Sequence, residues 1–238
     1  MQNPSEPVGR DRYHVLIPSA GTGSRSGAEG PKQYQVVAGR RLIDHTVAAC
    51  LAVPVVRQVV VVVAPGDVAY TPTDVRVQVA PVGGATRAQS VHNGLSALRL
   101  AGVPDSDWVL VHDAARCLLA PADLQRLIDT CTTDGVGGLL ALPLPDTLKA
   151  GGAGRVLATV DRADKWLAQT PQMFRLGPLW AALESARPSG YAGVTDEASA
   201  MEAQGLQPLL VVGSARNIKV TYPDDFAVAA ALLVQNRS

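Results

Sequence analysis

Short aliphatic runs alternate along this chain with stretches whose apolar residues recur at helical spacing. The runs Tyr13–Ile17, Gln58–Val63, Val75–Val79, Trp108–Val111, Gly138–Leu142 and Pro208–Val212 are rich in valine and leucine and too short for helices, so they predict buried strands. Between them, Leu42–Leu51, Ala88–Leu100, Ala122–Thr130, Leu179–Ala186 and Asp196–Gln204 predict helices, and a last helix, Asp224–Val234, follows the turn Tyr222-Pro223. Pro121 suits a first helical position, and Thr195 suits a cap before Asp196-Glu197. This alternation implies an α/β fold with a Rossmann-like, doubly wound, mainly parallel sheet covered on both faces. Ligands of such sheets bind beyond the carboxyl ends of the strands, so the loops after Ile17, Val79 and Val111 should converge there.

The segment from Pro143 to Pro171 breaks the pattern. It carries Pro143, Pro145, Gly151, Gly152 and Gly154 without an amphipathic helix, then a stretch Arg155–Val160 that can pair back as a hairpin. Long segments of this kind inside a compact domain are usually functional. The expectation is one domain over residues 1–238 with a β-arm projecting over 143–171.

The loop after the first strand, Pro18-Ser19-Ala20-Gly21-Thr22-Gly23-Ser24-Arg25, is followed by Lys32 in Pro31-Lys32-Gln33-Tyr34. Glycines let the backbone approach a ligand and aim successive N–H groups at an anion, and Arg25 and Lys32 add positive charge beside them. A Walker loop is excluded because Gln33, not Ser or Thr, follows Lys32. The G-x-G-x-x-G fingerprint fails because the next glycine after Gly21 and Gly23 is Gly27, one residue too late, and Asp44 falls inside a predicted helix.

Composition narrows the picture further. The chain has 238 residues, 47% of them hydrophobic, which suits one domain with a substantial core. A formal net charge of zero argues against a broad nucleic-acid surface. The three cysteines, Cys50, Cys117 and Cys131, are odd in number and widely spaced, as expected of reduced, buried thiols in the cytoplasm. Residues 1–12 are polar without an apolar signal core, and the run Val59–Ala64 is too short to cross a bilayer, so no membrane role is expected. The histidines His14, His45, His92 and His112 lack ligand spacing, and His112 reads as a core-facing strand residue. No G-x-S-x-G elbow accompanies Ser19, Ser24 or Ser26.

Three more segments carry chemistry. Gly83-Gly84-Ala85-Thr86-Arg87-Ala88-Gln89-Ser90 joins a strand to a helix and offers glycine backbone, an arginine and a hydroxyl. Val111-His112-Asp113-Ala114-Ala115-Arg116 ends a strand on a carboxylate able to bind a divalent cation. Asn217-Ile218-Lys219-Val220-Thr221 supplies another lysine.

With Asp146-Thr147-Leu148-Lys149, Thr170-Pro171-Gln172 and Thr195-Asp196-Glu197-Ala198-Ser199, these motifs resemble, in order and over almost the whole chain, the cytidylyltransferase family of the methylerythritol phosphate pathway to isoprenoids. The resemblance implies transfer of CMP from CTP to 2-C-methyl-D-erythritol 4-phosphate, with release of pyrophosphate. It implies catalytic roles for Arg25, Lys32 and Lys219, and a nucleotide site of Pro18, Ala20, Gly21, Thr22, Gly23, Gly84, Ala85, Arg87, Ser90 and Asp113, with Asp113 holding magnesium. Arg116, Thr147, Arg162, Thr170 and Thr195 would hold the sugar-alcohol phosphate, Thr147 and Arg162 reaching the partner's site across a homodimer. The chain departs from the family at Cys117, where proline is usual, and at Ala85 and Arg216, where acidic residues are frequent. A sister family that activates ribitol 5-phosphate shares most of the motifs; Thr195–Ser199 and the arm residues favour methylerythritol phosphate. A non-catalytic nucleotide-binding protein on the same fold is the reading from another class.

Overall fold

The computed structural model describes residues 12–21 and 30–235. In chain order the elements are β1 (Tyr13–Pro18), β2 (Val36–Val37), β3 (Arg40–Arg41), α1 (Leu42–Leu51), β4 (Val56–Val62), β5 (Val77–Ala80), α2 (Arg87–Leu100) and β6 (Trp108–Val111). There follow α3 (Pro121–Cys131), β7 (Gly137–Pro143), β8 (Leu148–Gly152), β9 (Arg155–Val160), β10 (Trp166–Arg175), α4 (Leu176–Ala186), α5 (Glu197–Glu202), β11 (Leu209–Val212) and α6 (Pro223–Gln235).

A seven-stranded sheet runs in the order β11-β7-β10-β6-β1-β4-β5. Its pairings are parallel except those of β10, which is antiparallel to both β6 and β7. Because successive strand residues point to opposite faces, each strand feeds two cores. Val15, Ile17, Val59, Val61 and Leu110 pack with Ile43 and Val47 of α1 and with Leu124, Leu127 and Ile128 of α3. Leu16, Val60, Val62, Val109 and Val111 pack with Leu95 of α2, Leu179 and Leu183 of α4 and Met201 of α5. Both faces are therefore covered, which is why the strands read as continuous apolar runs. Gly94 lets α2 sit close to the sheet, since a Cβ there would meet Leu16 Cδ1 and Val62 Cγ2 at 2.7 Å. A third, smaller cluster seats Ala229 and Leu233 of α6 against Cys117, Leu118 and Val220.

The expected elements are all present with ends displaced by up to three residues; β2, β3 and β10 are added, and three of the differences have a local cause. The third strand starts at Val77 rather than Val75, because Asp74 turns the chain by accepting from Arg76 N at 2.8 Å and leaves Val75 99% exposed. Helix α4 begins at Leu176, with Pro178 tolerated in its first turn. The cap of α5 is Asp196, not Thr195: Asp196 accepts from Ser199 N in a capping box, while Thr195 is exposed. Of the additions, β10 is a ten-residue strand inside the main sheet whose first residues, 166–171, fall in the segment expected to be arm. Pro171 obscures it, since proline inside a central strand argues against one. Here the pairing with β7 shifts register between Ala168 and Gln172, and Pro171 occupies that irregularity. Outside the main sheet, β8 and β9 pair as an exposed antiparallel hairpin, with Lys149 Nζ donating to Thr159 Oγ1 at 2.7 Å.

Candidate active site

A cleft of about 560 Å³ opens beyond the carboxyl ends of β1 and β6. Pro18, Ser19, Ala20 and Gly21 line one side; Gly84, Ala85, Thr86, Arg87 and Ser90 line another; Lys32, Asp113, Ala114, Ala115 and Lys219 complete it. The two glycine-containing loops meet closely, since a Cβ on Gly83 would collide with Ala20 Cβ, and Gly83 N donates to Val63 O just past β4 at 2.8 Å. Gln33 fixes the start of the first loop through Nε2, which donates to Ser19 O at 2.8 Å and Gly21 O at 3.1 Å.

Asp113 is the electrostatic centre. Its Oδ1 accepts from Arg87 Nε at 2.9 Å, its Oδ2 lies 2.8 Å from Lys219 Nζ, and Arg116 Nε stands 3.9 Å away. Burial alone would raise the Asp113 pKa; the charges of Arg87, Lys219 and Arg116 outweigh it and hold the carboxyl well below the usual carboxylate range. Arg87 also forks onto Glu197, donating from Nη1 at 2.6 Å and Nη2 at 3.1 Å. Lys32 Nζ donates to Val220 O at 2.8 Å, next in the chain to Lys219. Arg116 anchors the same segment by donating from Nη1 to Asn217 O at 2.6 Å.

A buried hydrogen-bond chain supports the turn that carries Asp113. Asp113 N donates to Thr170 Oγ1 at 3.0 Å, and that hydroxyl contacts His112 Nδ1 at 2.9 Å. Arg116 O can only accept, so His112 Nε2 carries the hydrogen toward it at 3.2 Å, and in the neutral ring Nδ1 accepts from Thr170 Oγ1. Burial lowers the His112 pKa to about 4, consistent with this neutral tautomer. His112 thus braces the site from just past the end of β6.

The structure gathers Pro18, Ala20, Gly21, Lys32, Gly84, Ala85, Arg87, Ser90, Asp113 and Lys219 around one cleft, as expected. Arg116 and Thr170 adjoin it through Asp113. The N–H groups of Gly84 and Ala85 are taken by Ser90 Oγ at 3.0 Å and Gln89 Oε1 at 2.9 Å. Thr147 and Arg162 are exposed at the base of the hairpin, where Arg162 Nη1 donates to Pro145 O, and neither lines the cleft of its own chain. Thr195 is exposed before α5. Thr22, Gly23 and Arg25 lie outside the described residues.

Gln33 and Glu197 stood in quoted motifs without a role; only their buried placement reveals one. Of the six buried side-chain polar atoms without a hydrogen-bond partner among the described residues, three, Ser19 Oγ, Arg116 Nε and Asn217 Oδ1, belong to residues at or beside this cleft. Polar atoms left so are usual where a ligand or water completes a site. No group of three or more His, Cys, Asp or Glu side chains able to enclose a metal occurs among the described residues. Asp113 already meets Arg87 through Oδ1 and Lys219 through Oδ2, so a hard dication would take Oδ2 only as Lys219 moves onto phosphate, with its other ligands from phosphate and water.

Cations gathered around one carboxylate beyond the strand ends, with glycine backbone alongside, define an α/β protein built to hold a nucleotide polyphosphate. The family model described as 2-C-methyl-D-erythritol 4-phosphate cytidylyltransferase matches residues 13–235, and the chain belongs to that family. It is accordingly a nucleotidyltransferase of the cytidylyl class. The chain is 60% identical over 230 residues to the bifunctional enzyme IspD/IspF of Albidiferax ferrireducens, covering 95% of this chain and 54% of that relative's length. It is 56% identical over 227 residues to the 2-C-methyl-D-erythritol 4-phosphate cytidylyltransferase of Laribacter hongkongensis, covering 93% of this chain and 96% of that one. The crystal structure of the Francisella tularensis enzyme superimposes with a TM-score of 0.81 at 33% identity, covering 93% of this chain and all of that one (100%).

Proposed function

We propose that this chain transfers CMP from CTP to 2-C-methyl-D-erythritol 4-phosphate, forming 4-CDP-2-C-methyl-D-erythritol and pyrophosphate. The observation that carries the reading is the placement of Lys32, Lys219 and Asp113 on one cleft in a chain of this family. An oxygen of the acceptor phosphate attacks the α-phosphorus of CTP; the bond from that phosphorus to its bridging oxygen breaks, and pyrophosphate leaves with the electron pair. The attacking phosphate monoester is largely ionised near neutral pH, its second pKa being about 6, so no general base is required. Catalysis then rests on positioning and on cations placed where charge accumulates. Lys32, Lys219 and Arg25 take that task, and Arg116 with Thr170 receives the acceptor. Cytosine lies against the backbone of Ala20, Gly84 and Ala85, beside Ser90. Asp113 would hold magnesium, which neutralises the triphosphate.

The β8–β9 hairpin is proposed to complete a partner's site in a homodimer, bringing Thr147 and Arg162 to the acceptor. Three buried free cysteines fit a reducing cytoplasm, and no helix among the described residues is long and apolar enough to cross a membrane.

Incubation with CTP, magnesium and each sugar-alcohol phosphate, read as pyrophosphate release, tests the reaction. Release with methylerythritol phosphate is expected. Release with ribitol 5-phosphate alone would move the chain to the sister activity, and none with either would overturn the reading. For the shared site, a mixture of Arg25→Ala and Arg162→Ala chains should regain activity that neither has alone.

A further inference from the structure

Glu197 contributes nothing to the reaction as set out above, yet it is more deeply buried than Asp113, its side chain being 2% exposed against 10%. Both its oxygens accept from the terminal nitrogens of Arg87, a fork that planar guanidinium and carboxylate groups match closely. The one remaining side-chain nitrogen of Arg87, Nε, donates to Asp113 Oδ1 at 2.9 Å. Asp113 Oδ2 is thereby left to Lys219 at 2.8 Å. The guanidinium can hold Asp113 Oδ1 by Nε in this orientation only while its fork is fixed, so loss of either Glu197 or Arg87 would let the Asp113 carboxylate turn.

Glu197 is itself held in place. It is the first residue of α5, whose start is set by the Asp196–Ser199 capping box. Gln172 of the central strand β10 donates to Asp196 Oδ2 at 2.9 Å and accepts from Ala198 N at 2.8 Å. The tether thus runs from the middle of the sheet, through α5 and Arg87, to the strand-end aspartate.

We infer that Glu197 is a positioning residue for cytidylyl transfer: by occupying the terminal nitrogens of Arg87, it keeps Asp113 Oδ2 facing the cleft, shared with Lys219. The inference rests on the cleft being the cytidylyltransferase site. It assigns two kinds of cation there. Arg87 is fixed and serves the scaffold; Lys219 is half-exposed on Asp113 Oδ2, a contact it can exchange for a phosphate oxygen.

The test is steady-state kinetics and thermal melting of Glu197→Gln, Arg87→Gln, the double variant and Glu197→Asp, beside the unmodified chain. Glu197→Gln should lose about 10- to 100-fold in kcat, the range for residues that orient a catalytic group. KM for the sugar-alcohol phosphate should stay within about twofold, because acceptor binding is not the step disturbed. The losses from the two single glutamine variants should not multiply, since both cut the same tether. The double variant leaves no stranded charge at the fork and should melt above Arg87→Gln, which buries Glu197 unpaired, while kcat stays low. Glu197→Asp, which keeps the charge, should recover part of the rate. Unchanged kcat in Glu197→Gln, multiplying losses, or a double variant that regains kcat along with stability would overturn the inference. If Glu197→Gln fails to fold, the double variant carries the decision. An inactive unmodified chain would instead overturn the functional reading on which the inference stands.

Discussion

Replacing Lys219 by methionine keeps most of the aliphatic stem and removes the ammonium. The ammonium lies 2.8 Å from Asp113 Oδ2, on a side chain 41% exposed. Solvent screening limits such a pair to about 1 kcal/mol of stability or less, and Asp113 retains Arg87 at 2.9 Å. For a chain of this size that corresponds to a melting shift of about 2–4 °C. The chemical step is affected far more. A unit charge about 4 Å from developing negative charge is worth about 4 kcal/mol at an effective dielectric of 20. Removing one preorganised donor from such a site costs about 100- to 1000-fold in kcat. Lys219→Met should therefore melt nearly like the unmodified chain and release pyrophosphate from CTP at least about 100-fold more slowly. A kcat within tenfold of the unmodified value would refute the reasoning, as would a loss of rate matched by unfolding at the assay temperature.

Lys32→Met removes a cation from the cleft and also the bond to Val220 O, so kcat should fall and amides 217–221 should exchange faster with deuterium. Gly94→Ala places a Cβ 2.7 Å from Leu16 and Val62 side-chain atoms, and overpacking should lower unfolding stability by about 1–3 kcal/mol in denaturant titration. Asp196→Ala removes the α5 cap and should cost about 1 kcal/mol on the same assay. His112 has its pKa lowered from 6.5 to about 4; a depressed base stabilises the fold above its unfolded pKa, and that contribution fades as pH falls from 6.5 toward 4. The loss amounts to about 3 kcal/mol at one pKa unit per 1.36 kcal/mol, and His112→Asn should flatten the slope of stability against pH in that window.

The order of strands and helices was readable because each buried strand feeds two cores. Val15, Leu16 and Ile17 are all apolar for that reason, and the run is a strand signal whichever face each residue takes. The reading weakened at β10, where local chemistry and tertiary need diverge. A proline in a central strand normally removes a ladder bond. Nothing local to Trp166–Arg175 announces that the ladder shifts register there, because the shift is a property of the pairing with β7. Sequence alone therefore makes the arm longer than the β8–β9 hairpin that forms a separate sheet.

The site divides in the same way. Groups meant to meet a ligand stand in short motifs in the loops that follow strands, so Lys32, Asp113 and Lys219 can be named from sequence. Groups that aim those residues are specified by distance across the fold. Arg87 and Glu197 are 110 positions apart, and Lys32 reaches Val220 across 188. An arginine beside a phosphate-binding loop reads as a phosphate ligand when its partners are unknown. Once both its terminal nitrogens are found on a buried glutamate, its charge is already answered inside the protein. The cations left facing the cleft toward an incoming triphosphate then include Lys32 and Lys219, and the reach of Lys219 depends on how firmly Arg87 holds Asp113 by Oδ1.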